Sequence, residues 1–93
     1  MIHARKDYQR IQDPIGKIAA DEPVFLLRAQ DQTAADVVRF YGKNLISQGG
    51  DVAIAALAFS HALEMDRWRE AHGDGKLPDL PDGFFEEEED HSP

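Results

Sequence analysis

"TAADVVRFYGKNLISQGGDVAIAALAFSHALEMDRWREAHG", residues 33 to 73, contains two helical patterns separated by a pair of glycines. In the first, Ala34, Val37, Val38, Tyr41 and Leu45 recur at the three- and four-residue spacing that puts side chains on one helical face. Thr33 can cap that helix, and Asp36, three positions on, stands where a capping box prefers Glu. The spacing predicts a helix over 33–48, ended by Gly49 because glycine enters the left-handed C′ conformation without steric cost. The second pattern predicts a helix over 51–72, with Asp51 at its start and Gly73 just past its end. Its apolar residues wrap widely. Val52, Ala55, Phe59 and Ala62 lie on one side, and Ile54, Leu57, Ala58, His61, Met65 and Trp68 on the other. An all-round apolar stretch such as "VAIAALAF" is expected to be covered by more than one neighbour, with Leu57 in the core. A Gly-Gly link is short enough to force an antiparallel αα-hairpin.

Working outward, "DEPVFLL" at 21–27 reads as the start of a strand over 23–29. Val24 and Phe25 favour extended backbone, and Pro23 suits a strand's first position. Asp21 before Pro23 would also suit a short helical turn. Residues 1–20, interrupted by Asp13-Pro14 and Gly16, read as an irregular arm that rests its isoleucines on the core. A single strand leaves backbone donors and acceptors unmet, at about 1–3 kcal/mol for each buried group. It could pair with the arm, most simply within residues 10–19. It could pair with its own copy through Val24, Phe25, Leu26 and Leu27, giving a homodimer, or take a strand from another protein. The fold class expected is mainly α, or small α+β: one domain over 1–83, followed by a disordered acidic tail at 84–93.

Ninety-three residues with 42% apolar content support one thin core. With no cysteine, disulfides and thiolate metal sites are excluded. The charged start "MIHARKDYQR" is no secretory leader, and no apolar run reaches the ~18 residues of a membrane span. A soluble, cytoplasmic protein without membrane contact is the expectation.

Charge divides the chain. Residues 1–50 are +1 and residues 51–93 are −9, with eight acids against Lys76 in the last twenty positions. Direct nucleic-acid binding needs clustered cations and is not expected. An acidic surface suits a basic protein partner. In "FFEEEED", Phe84 and Phe85 could fill apolar pockets while Glu86, Glu87, Glu88, Glu89 and Asp90 meet a basic rim. A second candidate partner surface is the helix face around Asp66, Trp68 and Glu70, because Trp is enriched at binding hot spots.

The residues assemble no catalytic or cofactor site. His61 and His72 are eleven apart, about 16 Å along a helix, too far for one metal. Ser60 and His61 are adjacent on a helix and point in different directions. Asp66 and Glu70 lie beside Arg67 and Arg69 on a mixed-charge face rather than in a cleft. Gly49-Gly50 lacks the Lys and Ser/Thr of a phosphate loop.

The stretch "GKIAADEPVFLLRAQDQTA" resembles a segment of small uncharacterised bacterial and phage or prophage proteins, with the likeness covering residues 7–36 and the "LPDLP" motif. In size and acidity the chain is also similar to anti-CRISPR proteins, which implies an inhibitor of a nucleic-acid-handling complex. Two functions are therefore carried forward. One is a non-enzymatic, phage-type inhibitor that binds a basic protein through its acidic C-terminal half. The other is a self-associating structural or adaptor protein.

Overall fold

The computed structural model describes residues 1–73 and 75–82. Two helices dominate it: α1 over Ala34–Ser47 and α2 over Val52–Ala71, each within one residue of the sequence expectation at both ends. They pack antiparallel, as Arg39 meeting Asp66 and Gly42 meeting Phe59 require. At the N-terminus, β1 (Ile2–His3) and β2 (Pro23–Val24) form a two-stranded parallel sheet, and a single 3-10 turn spans Lys6–Tyr8. The fold is mainly helical, a small α or α+β protein.

The helix ends follow local chemistry, with one correction. The Asp51 carboxylate accepts the Ala53 amide at 2.8 Å, satisfying one of the four donors a helix start leaves open. Gly49 sits at φ +78°, and the next amide, from Gly50, donates to the Leu45 carbonyl at 2.8 Å. At α1 the expected Thr33 cap is absent. Asp31 instead accepts both the Thr33 amide, at 2.8 Å, and the Thr33 hydroxyl, at 2.6 Å. Two donors in reach of one carboxylate oxygen hold the threonine hydroxyl away from the helix amides.

The seam between the helices is made of small side chains. Its buried members are Ala34, Ala35 and Gly42 on α1 and Ala55, Ala62 and Met65 on α2. At Gly42 a Cβ would stand 2.8 Å from the Phe59 ring and 3.3 Å from the Ala55 carbonyl, so the crossing depends on the missing side chain. Small residues let the backbones approach and leave no room for large ones between them. This overturns the expectation that Leu57 is core: it is 69% exposed. A helix that is apolar all round can bury only the faces its neighbours cover, and Leu57 lies under neither α1 nor the layer that bears Leu27 and Ala29.

The strand also differs from expectation. The ladder covers only Pro23–Val24, and its partner is Ile2–His3 rather than residues 10–19. The Ile2 amide donates to the Glu22 carbonyl at 2.8 Å and the Ala4 amide to the Val24 carbonyl at 3.2 Å. The chain's terminal ammonium adds bonds to the Ala19 and Ala20 carbonyls. His3 is buried, and its Nε2–H donates to the Ile11 carbonyl at 2.5 Å, which ties the arm to itself. Past β2 the backbone runs as an irregular layer. Leu27 and Ala29 pack on Ala34, Ala35, Ala62 and Met65, whereas Phe25, two residues earlier in the same apolar run, is 70% exposed. The chain returns beside this layer after α2: the Lys76 amide donates to Gln30 O at 3.0 Å and the Gln32 amide to Lys76 O at 2.8 Å. The acidic stretch 84–93 lies outside the described residues.

Candidate functional site

Three regions carry exposed side chains with binding potential: the Asp66–Glu70 segment, a groove beside the irregular layer, and the open end of the helical hairpin.

In the first region the structure separates the residues that the sequence put together. Residues two apart on a helix diverge by about 200°, so Asp66, Trp68 and Glu70 cannot share one face. Asp66 turns toward α1, where it pairs with Arg39; Arg69 reaches it from one turn on, at 3.1 Å. Arg39 also bonds Asp36 at 2.9 Å. The Asp66 hydrogen bond, first of several contributions, pushes the Arg39 guanidinium up, so its charge is permanent. Asp66 is thus an internal clasp between the helices. Trp68 is half-exposed and stacks on His72 with ring centroids 4.0 Å apart, and His72 Nδ1 lies 2.7 Å from the Trp68 carbonyl. Glu70 is exposed. Of the other sequence candidates, Val24 is committed to the β1 ladder, Leu26 and Leu27 are half-buried, and Phe84 to Asp90 lie outside the described residues.

The second region is a groove of about 330 Å³ between the 3-10 turn, the layer and the returning segment. Arg5, Asp7, Tyr8, Phe25, Arg28, Asp31, Lys76 and Leu80 are among its lining residues. Its charges are largely spent on one another. Arg5 pairs with Asp7 at 2.6 Å and lies over the Tyr8 ring, Asp31 holds Thr33, and Lys76 is 3.4 Å from Asp79. Arg5's hydrogen bond, the largest effect, holds the Asp7 carboxyl below the usual carboxylate range. That direction favours a fixed charge over proton transfer. Among the described residues no group of three His, Cys, Asp or Glu side chains could hold a metal ion.

The third region follows from the seam. Stepping from Ala34 toward the Gly-Gly turn by three or four residues passes Val38, Tyr41 and Leu45. Stepping back from Met65 passes Ala62 and His61, then Ala58 and Ile54. Ala34 and Met65 belong to one buried cluster, with Val38 packed against it, so both series run along the same side of the hairpin. At the Ala34–Met65 end the layer with Leu27 and Ala29 covers that side. Toward the turn it is open: Tyr41 is 52% and Ile54 46% exposed, with Leu57 flanking them, and Val37, one turn from Ala34 at the edge of the covered half, is 47% exposed. Leu45 and Ala58 are half-buried beneath. Asn44, Gln48 and His61 surround this opening, and the Glu64 carboxylate reaches its edge, 3.5 Å from His61 Nδ1. The opposite side of α1 carries Asp36, Arg39 and Lys43. The open patch is therefore a continuation of the core whose own side chains are uncharged, with an acid at its edge. Sequence periodicity marked its residues as apolar but assigned them to the interior; the signal for the true seam was the run of Ala and Gly at positions 34, 35, 42, 55 and 62.

No protein-family model, curated protein or solved structure matches the chain. No helix among the described residues is long and apolar enough to cross a membrane.

Proposed function

We propose that this chain is a non-catalytic protein-binding module and that the open end of its helical hairpin is the binding surface. The observation that carries this reading is the continuity of Val37, Tyr41, Ile54 and Leu57 with the buried cluster at the other end of the same side. A contiguous apolar patch that continues a core is the usual mark of a protein interface. The test is capture of proteins from a cell lysate by the wild-type chain and by Leu57→Glu, at low and high salt. Retention through high salt, lost in Leu57→Glu, is the expected result, because apolar burial is not screened. Capture that is indifferent to the substitution refutes the assignment of the surface.

One further observation supports a phage-type inhibitor of a basic protein as a second reading: residues 74–93 carry a net charge of −7, while residues 33–72 carry −1. On that reading capture weakens steeply with salt and is lost on deletion of residues 84–93, with the helix patch irrelevant.

A further inference from the structure

We propose that the occupant of the open hairpin face is a second copy of this chain, so that two hairpins join about a two-fold axis as a four-helix bundle. This rests on the reading of that face as a protein-binding surface and adds the identity of the partner.

Area supports a copy. A standard interface takes about 800 Å² from each partner, of which roughly 450–500 Å² is apolar. From the exposures of Val37, Tyr41, Ile54 and Leu57, the patch offers roughly 400 Å² of apolar surface, and Phe40 on its flank, 68% exposed, raises this to roughly 550 Å². Asn44, Gln48 and His61 form a polar rim of the kind such interfaces carry.

Charge supports a copy over a basic partner. An isologous interface brings each residue near its own equivalents, so a charged patch would oppose itself. Val37 and Tyr41 have uncharged neighbours at the helical positions beside them on this side, Val38, Asn44, Leu45 and Gln48. Ile54 and Leu57 adjoin Ala58 and His61, and the nearest acids, Asp51 one turn before Ile54 and Glu64 at 3.5 Å from His61, stand at the edge. The hairpin as a whole is nearly neutral, at −1 over residues 33–72. Eight of the acids that would steer a basic protein lie in residues 74–93, and the centre of this face, Tyr41, Ile54 and Leu57, carries none.

Shape supports a two-fold. The layer bearing Leu27 and Ala29 covers the half of the side near Ala34 and Met65 and leaves the half near the turn uncovered, which makes a step. Two such steps fit when one copy is inverted on the other: open half lies on open half, and each layer extends past the partner's Gly49–Gly50 turn. Helices packed this way can form the near-antiparallel, knobs-into-holes contacts of a four-helix bundle.

The experiment is sedimentation equilibrium on the full chain at 5 to 200 µM, with three single variants. Wild type is expected at twice 10.4 kDa over the upper range. Tyr41→Arg and Ile54→Glu are expected at 10.4 kDa with the far-ultraviolet helical signal retained, because both residues are half in solvent in the single chain. Leu63→Glu, exposed away from the patch, is expected to remain at twice the chain mass. A wild type that stays at 10.4 kDa throughout overturns the proposal, as does a dimer broken by Leu63→Glu and indifferent to Tyr41→Arg. The salt-resistant capture described above separates the two failures. A monomer that still holds another protein through Leu57 refutes the second copy alone, while a monomer that holds none refutes the binding surface as well.

Discussion

Replacing Gly42 by valine probes the helix crossing directly. A Cβ built on Gly42 lies 2.8 and 2.9 Å from two ring atoms of Phe59 and 3.3 Å from the Ala55 carbonyl oxygen. The Phe59 ring is half-buried and is the far end of a flexible side chain, so it can swing aside. The Ala55 carbonyl is backbone within α2 and cannot. With alanine, therefore, the clash is modest, and a gain of about 1 kcal/mol in helix propensity over glycine offsets it. Gly42→Ala should change stability by less than about 1 kcal/mol. Valine keeps part of that propensity gain but adds two γ-carbons at the crossing, which only a wider separation of the helices can accommodate. Widening strips Ala55, Ala62 and Met65 of their contacts across the seam, and overpacking of this kind costs about 1–3 kcal/mol. The expected loss for Gly42→Val is about 2 kcal/mol, a fall of roughly 8–16 °C in melting temperature for a domain this size. Thermal unfolding followed by circular dichroism, run for all three proteins at one concentration, measures it. A Gly42→Val protein that melts with the wild type would refute a close crossing at this residue.

Other expectations follow from the local contacts. Asp51→Ala removes the one side-chain cap of α2 and should destabilise the chain by about 1 kcal/mol, with Asp51→Asn recovering most of the loss, by urea titration. Asp13 accepts the amides of Ile18, Lys17 and Ile15, and these bonds, the Ile18 bond foremost, hold its carboxyl below the usual range. A carboxylate depressed on folding stabilises above its unfolded value, about 3.9, and that contribution is lost as pH falls through the folded value. Amide exchange at Lys17 and Ile18 should therefore lose protection below about pH 4, and in Asp13→Asn that acid-dependent step should disappear.

The helices were legible because their boundary signals are local. Gly49-Gly50, Asp51 and Gly73 each act on the few residues beside them, and both helices end within one residue of the bounds, 48 and 72, that those signals set. The strand was less so. "VFLL" has strand composition, yet hydrogen bonding stops at Val24 because its partner, Ile2–His3, is only two residues long and lies twenty-one residues away in register. Nothing in so short a partner announces itself. Orientation of α2 was legible least. Periodicity cannot choose an inner face for a helix that is apolar all round, and Leu57 was placed inside on that basis. The choice is made by backbone approach at Gly42, Ala55 and Ala62, a property of the pair of helices. Asp66 reads as a surface acid for the same reason: Arg39, its partner, is twenty-seven residues away.

The central claim, that the uncovered end of the hairpin closes on a second copy, is tested most directly by isotope-filtered nuclear Overhauser measurements. The sample is an equal mixture of ¹³C-labelled and unlabelled chain, unfolded and refolded together. The account predicts contacts between copies from the Tyr41 ring to the methyl groups of Ile54 and Leu57. Contacts between copies arising from Val52 and Leu63 instead, or none at a concentration where the chain is fully associated, would contradict it.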